Sequence, residues 1–382
     1  MKGVGTPRAP RPARQTARRA DRRSPPDETK GLTSRERRAQ ARLRSAQDSP
    51  EQPGRSWSRL AVGIAVAAAC ALAIGLALAT GFLAPGSGTG SATPAAGTTT
   101  VLRGESASVA FASSDGWVAD DTAGTVRRFS ASDGKWLARA VRTGGRPVAV
   151  ATGYGRVWTA DTLGNTVTVL DESTGKLFGA PVSVGQEPVS VATGEGGVWV
   201  ASLLSGSVSL LDPSTRKVRA SVALPDGAVR VAVGDGYVWV TGQTDTLTRV
   251  DPRPLGVSLR WKQVTVGKGP IGVSVGLGSV WVANAESGTL SRVDPNTLRV
   301  TGTFRVGQGG SASDPDAVVV SQGHVWVGEG ESPTVVALDP SSGRQYGAAV
   351  TLPGTVRDLA VGDGGLWATT ANVGAVVRLT PD

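Results

Sequence analysis

Two patterns of apolar residues divide the chain. From Leu60 to Leu83 the residues LAVGIAVAAACALAIGLALATGFL run for 24 positions without a charge. From Thr98 to Asp382 apolar and polar positions instead alternate in short runs, broken by Gly, Asn and Asp-Pro. The first pattern suits a helix in lipid: 24 residues rise about 36 Å against a hydrocarbon core of about 30 Å. The second suits short strands with one face buried and tight turns between them.

The strand pattern repeats. Trp117, Trp158, Trp199, Trp239, Trp281, Trp326 and Trp367 are separated by 41, 41, 40, 42, 45 and 41 residues, in segments such as GRVWTAD, GGVWVAS and GSVWVAN. Each copy reads as four strands. In the fifth these are Gly272 to Val275, Ser279 to Ala283, Thr289 to Val293 and Val300 to Val306. A period near 40 residues with four strands per unit is the signature of a propeller blade. The seventh copy ends after its third strand, and Thr98 to Arg103 has the composition to supply the missing outer one. The expected fold is therefore all-β, a seven-bladed β-propeller over residues 98–382 closed by an N-terminal latch strand. Closure removes the exposed strand edges that an open sheet would leave.

The units VWVANAESGTLSRVDPNT and VWVASLLSGSVSLLDPSTRKV resemble the YVTN family of β-propeller repeats and, more distantly, the virginiamycin B lyase propellers. The resemblance covers roughly residues 98–382. It implies a blade type strongly and a function weakly, since surface-layer proteins, sensor domains and a few enzymes share it.

Charge changes the picture at one end only. The formal net charge of +9 resides in residues 1–57, with 15 Lys/Arg and 6 Asp/Glu, while the rest balances at 25 of each sign. Rich in Arg, Pro and Ser and poor in aromatics, that tail cannot bury a core and is expected to be disordered. No aromatic residues interleave its arginines to stack bases, so nucleic acid is not an expected partner, whereas anionic lipid headgroups are. Seven arginines between Arg35 and Arg59 precede the apolar run, and no Lys or Arg follows it until Arg103. The basic flank keeps the N-terminus cytoplasmic, so the reading is a tail at 1–57, a transmembrane helix at 58–84, a flexible linker at 85–97 and an extracytoplasmic propeller. Cleavage after Ala77-Leu78-Ala79 is the competing reading, disfavoured because the apolar run exceeds a signal peptide's and a long tail precedes it. Cys70, the one cysteine, lies inside that run and reads as a small apolar side chain.

Candidate chemistry is sparse. One cysteine and one histidine exclude a disulfide scaffold and a zinc cluster, and no cofactor is expected. The strand-two tryptophans recur in every copy and read as interblade packing. Trp136 and Trp261 fall outside that register, on outer strands where a partner could touch them. Asp171, Asp212, Asp251, Asp294 and Asp339 each open a turn such as DPNT and read as caps of their own turns.

Residues peculiar to single blades carry more information. Nine positions before each tryptophan, on the innermost strand, stand Ser108, Ala149, Ser190, Arg230, Gly272, Ala317 and Asp358. With Arg146, Lys268, Asp316 and Arg357 in nearby loops, Arg230 and Asp358 are expected to line one mouth of the central channel. Arg230 and Asp358 neutralising one another is the bland alternative. Asp120, Asp121, Asp161, Asn284, Glu329, Glu331 and Asn372 follow strand two toward the same mouth. His324 with Glu329 and Glu331 is the constellation that the lyase resemblance makes interesting, as an acid-base or metal set; a single imidazole falls short of it. The functional expectation is a membrane-anchored binding or scaffolding propeller, sensor-like, facing an extracytoplasmic protein, peptide or cell-wall ligand. A magnesium-dependent lyase-like enzyme and a structural surface-layer protein are the alternatives.

Overall fold

The computed structural model describes residues 97–98, 106–254, 258–307, 314–371 and 373–380. The expected tail, span and linker lie outside them, apart from Gly97. Among the described residues no helix is long and apolar enough to cross a membrane, and the one helical turn is the 3-10 segment Thr162–Gly164.

The described residues form seven four-stranded antiparallel sheets. The fifth runs through Pro270–Gly276, Ser279–Asn284, Thr289–Asp294 and Arg299–Arg305, close to the strands read from sequence. The innermost strands are Ser106–Ala112, Pro147–Gly153, Pro188–Gly194, Arg230–Gly234, Pro270–Gly276, Pro315–Ser321 and Val356–Gly362. Each packs against the next and the seventh against the first, so the sheets form a closed ring around a central channel. In the seventh sheet Gly97–Thr98 pairs antiparallel with Val376–Thr380. The rest of the expected latch, 99–103, lies outside the described residues.

The tryptophans drive this arrangement. Trp117, Trp158, Trp199, Trp239, Trp281 and Trp367 are at most 1% exposed and Trp326 is 6% exposed. Each packs on valines or leucines of the two inner strands of the following blade, as Trp199 does on Val231, Val238 and Val240. Trp367 closes the ring on Val109 and Val118 of blade one. In six blades the indole Nε1 donates to the carbonyl five residues earlier, at 3.0–3.3 Å. In five of those blades that carbonyl belongs to glycine, because a side chain there would collide with the neighbouring inner strand. A Cβ on Gly234 would stand 2.8 Å from Val275, and one on Gly362 would stand 1.9 Å from Phe111.

Arginines opposite the tryptophan on the third strand tie blades together from outside. Arg128, Arg249 and Arg292 donate to Ser173, Pro295 and Pro340 carbonyls in the turn of the next blade at 2.7–2.9 Å. Arg378 reaches Ala131 of blade one at 3.5 Å. The seam between blades seven and one carries an aromatic cluster as well: Phe111, Phe129 and Trp367 lie with ring centroids 5.1–5.9 Å apart.

The turn aspartates cap as expected. Asp294 accepts from the amides of Asn296 and Thr297 at 2.9 and 2.7 Å, and Asp339 from those of Ser341 and Ser342 at 3.1 and 2.7 Å.

Candidate functional site: the central channel and its mouth

Each inner strand begins at the mouth end of the channel, and in six blades its pairing shifts register at that end. Such a bulge re-aims the adjacent side chain. In those six blades the residue at the shift is the ring position, Ser108, Ala149, Ser190, Gly272, Ala317 or Asp358; together with Arg230, whose blade keeps its register, they line a cavity of about 110 Å³ on the channel axis. Three of them complete backbone hydrogen bonding across a blade boundary. Ser108 Oγ accepts from the Val150 amide at 3.3 Å, Ser190 Oγ from Val231 at 3.2 Å, and Asp358 Oδ2 from Val109 at 3.3 Å. An innermost strand has no ladder partner on its channel side, and a buried amide without an acceptor is costly. These polar ring residues therefore have a structural role.

Arg230 and Asp358, on blades four and seven, meet across the channel at 3.5 Å. The guanidinium also donates to the Arg357 carbonyl at 3.4 Å. The pair is partly exposed, with side-chain accessibilities of 33% and 16%, so its contribution is about 1 kcal/mol. It bridges the channel.

At the mouth itself the structure separates residues that the sequence grouped. Arg146 and Arg357 both bind Asp121, at 2.9 Å and at 3.3 Å, and only 2% of the Asp121 side chain is exposed. These two arginines, from blades two and seven, clamp a carboxylate of blade one and so brace the seam. Asp161 and Asn284 are wholly buried and Glu329 is 8% exposed. They pin the hairpins of their own blades: Asp161 accepts from Thr168 and Thr159, Asn284 donates to Ser291 at 3.0 Å, and Glu329 accepts from Thr334. Burial without a cation raises the Asp161 carboxyl above its ordinary value, opposed by those hydroxyls. Asn372 lies outside the described residues.

What stays open at the mouth is mostly acidic, with Lys268 the exception. Glu286 and Glu331 are exposed, and neither they nor Asp314 makes an ion pair among the described residues. Asp316 sits beside Gly330, where a Cβ would stand 2.1 Å from its Oδ2, and its Oδ1 is buried without a hydrogen-bond partner. Burial first, then the charge of Asp314 and more weakly that of Glu331, push the Asp316 carboxyl up to about 7 against the pull of Arg230. Burial and the charges of Glu331 and Glu286 raise Asp314. Lys268, exposed in the loop ahead of blade five, makes no ion pair among the described residues.

His324 and Glu329 are not brought together. His324 pairs with Ser321 at one end of the strand His324–Glu329, and Glu329 pairs with Pro315 at the other. Five residues of strand separate them by roughly 17 Å. His324 stacks on Tyr346 with centroids 4.1 Å apart, and its Nδ1 lies 3.0 Å from the Gln322 carbonyl. Among the described residues no three His, Cys, Asp or Glu side chains converge as metal ligands. Of the two out-of-register tryptophans, Trp136 is half-buried against Phe129 with Arg127 over its ring at 4.0 Å, and Trp261 is 38% exposed.

The sequence reasoning missed the Asp121 clamp and the arginine ties between blades. The ties carried a signal: Arg128, Arg249, Arg292 and Arg378 stand 10 or 11 residues after the tryptophans of their blades.

No family model matches the chain, and no curated protein matches it. Solved structures do. Virginiamycin B lyase from Staphylococcus aureus superposes with a TM-score of 0.63 at 13% identity, covering 75% of this chain and 99% of that one. A streptogramin B lyase structure gives 0.63 at 14% identity, covering 75% and 96%. The WD40 domain of Pan2 from Neurospora crassa gives 0.59 at 12% identity, covering 73% and 90%. Identity this low is a likeness of fold. The chain is a seven-bladed β-propeller whose solved structural neighbours include the virginiamycin B lyase-like propellers and WD40 propellers.

Proposed function

We propose that this chain is a membrane-anchored, extracytoplasmic propeller that binds a protein, peptide or cell-wall ligand at the mouth of its channel, holding it as a sensor or scaffold would. The observation that carries the reading is the concentration of blade-specific, unpaired charge at one mouth, while the walls of the ring are built from repeated packing. A rigid, closed ring presents such groups in fixed positions, which lowers the ordering cost of binding. Anchoring rests on the apolar run at residues 60–83 and its one-sided basic flank. In this reading Thr98 to Arg103 completes the outer edge of blade seven, and the linker ahead of it lets the ring stand clear of the lipid.

The test is limited proteolysis of spheroplasts expressing the chain with a tag at each end. A protected, membrane-bound N-terminal tag and a released, resistant fragment beginning near residue 98 are expected. Removal of the N-terminal tag by outside protease, or fragmentation within the repeats, would refute the anchored ring.

A further inference from the structure

The mouth face is divided into an apolar arc and an acidic arc. Five positions after each strand-two tryptophan stands the tip of a hairpin loop on this face. The position is threonine on blades one and four, leucine on blades two and three, and glutamate on blades five and six. Leu163 and Leu204 are 76% and 68% exposed, more than any other exposed large hydrophobic residue described. Isolated exposed leucines are ordinary, but two at equivalent tips of adjacent blades are a patterned surface.

Their loops are held firmly. The Thr162 amide donates to the Arg146 carbonyl at 2.9 Å, and the Thr162 hydroxyl to the Pro188 carbonyl at 2.9 Å. The Leu203 amide donates to the Glu187 carbonyl at 2.8 Å, and the Glu187 amide to Asn165 Oδ1 at 2.8 Å. The two leucine tips are thus joined through one shared loop, so burying them orders little that is not already ordered.

Across the mouth, Glu286 and Glu331 are exposed at the equivalent tips of blades five and six, and Asp314 and Asp316 stand at the start of the inner strand of blade six, where the charges of Glu286 and Glu331 help raise Asp314 and those of Asp314 and Glu331 help raise Asp316. Arg230 pulls on Asp316, and Lys268 stands in the loop beside Glu286, but two cations against four carboxyls leave a like-charge cost that an arriving cation relieves. The propeller carries 24 Lys/Arg and 25 Asp/Glu, so this arc is a local field and not a reflection of bulk charge. An anionic membrane surface would be repelled by it.

We infer that this mouth face docks a cationic, apolar polypeptide segment, with leucine-sized side chains seated on Leu163 and Leu204 and Lys or Arg side chains over Glu286, Glu331, Asp314 and Asp316. This specifies the partner class of the binding reading above and rests on it. Apolar contact on one arc and charge on the other fix the direction in which the segment lies, as complementary potentials do at interfaces.

The test uses the full chain in nonionic detergent and fluorescence anisotropy of three labelled peptides: alternating Lys-Leu, alternating Glu-Leu and alternating Lys-Ser. The Lys-Leu peptide is expected to bind tightest, and its affinity to fall as salt rises. The double variant Glu286→Lys/Glu331→Lys should weaken it by about tenfold or more, and Leu163→Asp/Leu204→Asp by about tenfold, the scale of losing a buried apolar contact. Glu172→Lys, in a turn at the opposite end of the blade, should leave binding unchanged. Leu163, Leu204, Glu286 and Glu331 are exposed and Glu172 is partly so, and unaltered thermal melts confirm that the variants fold. Equal binding by the Lys-Ser peptide, or indifference to both double variants, overturns the inference. Sedimentation showing self-association that the same variants abolish would reassign the face to a second copy and overturn it too. Failure here with a protected N-terminal tag in spheroplasts sinks only the partner class; loss of that tag with peptide binding intact sinks only the anchoring.

Discussion

Replacing Asp316 with Asn should stabilise the propeller above neutral pH. The carboxyl is largely buried, its Oδ1 lacks a hydrogen-bond partner, and burial with Asp314 raises it from 3.8 to about 7. Between those values the folded chain holds a proton that the unfolded chain has released. Stability from this group is therefore full below about pH 4 and is lost as the pH rises through 7. A rise from 3.8 to about 7 corresponds to roughly 4 kcal/mol as an upper bound. For a domain of this size that is on the order of 5–10 °C in melting temperature. Asn keeps the shape and one acceptor but cannot ionise. Calorimetry of wild type and Asp316→Asn from pH 4 to 8 should give coincident melts near pH 4 and curves that diverge steadily, with the variant higher above pH 7. Parallel curves, or a variant less stable at pH 8, would refute the assignment of an unfavourably buried charge.

Phe129→Ala should cost about 3–5 kcal/mol in chemical denaturation, because the ring is fully buried at the seam of blades seven and one and a cavity would remain. Asp121→Ala should cost about 3 kcal/mol by leaving Arg146 and Arg357 facing each other, and Arg146→Met in the same background should recover part of that loss. The turn carboxylates Asp171 and Asp212 are held at about 2 chiefly by hydroxyl and amide donors, so the stability they supply is present above 3.8 and lost as the pH falls through 2. Acid titration monitored by circular dichroism should show Asp212→Asn less stable than wild type at pH 5 and equal to it near pH 2.

Packing within a repeat is local enough to be written in a short stretch of chain. Trp199 recurs at its period because every blade must bury one large ring on the next, and the glycine five residues earlier recurs because the neighbouring strand passes there. Capping is equally local: Asp294 meets amides two and three residues away. Strand order, blade number and the ring position lining the channel could therefore be read from spacing alone.

Pairings between distant blades had no such local mark. Asp121 and Arg357 are 236 residues apart and become neighbours only because the ring closes; in sequence Asp121 looks like one more polar loop residue. Asp161 and Glu329 are different: their hydroxyl partners lie two to seven residues away in their own blades, yet nothing in the spacing marks them as buried. His324 and Glu329 look close along the chain, yet an extended strand carries them to opposite faces. The alternation of residues determined the blades. Ring closure, which sets first against last and covers some charges while exposing others, decided which of them stay exposed.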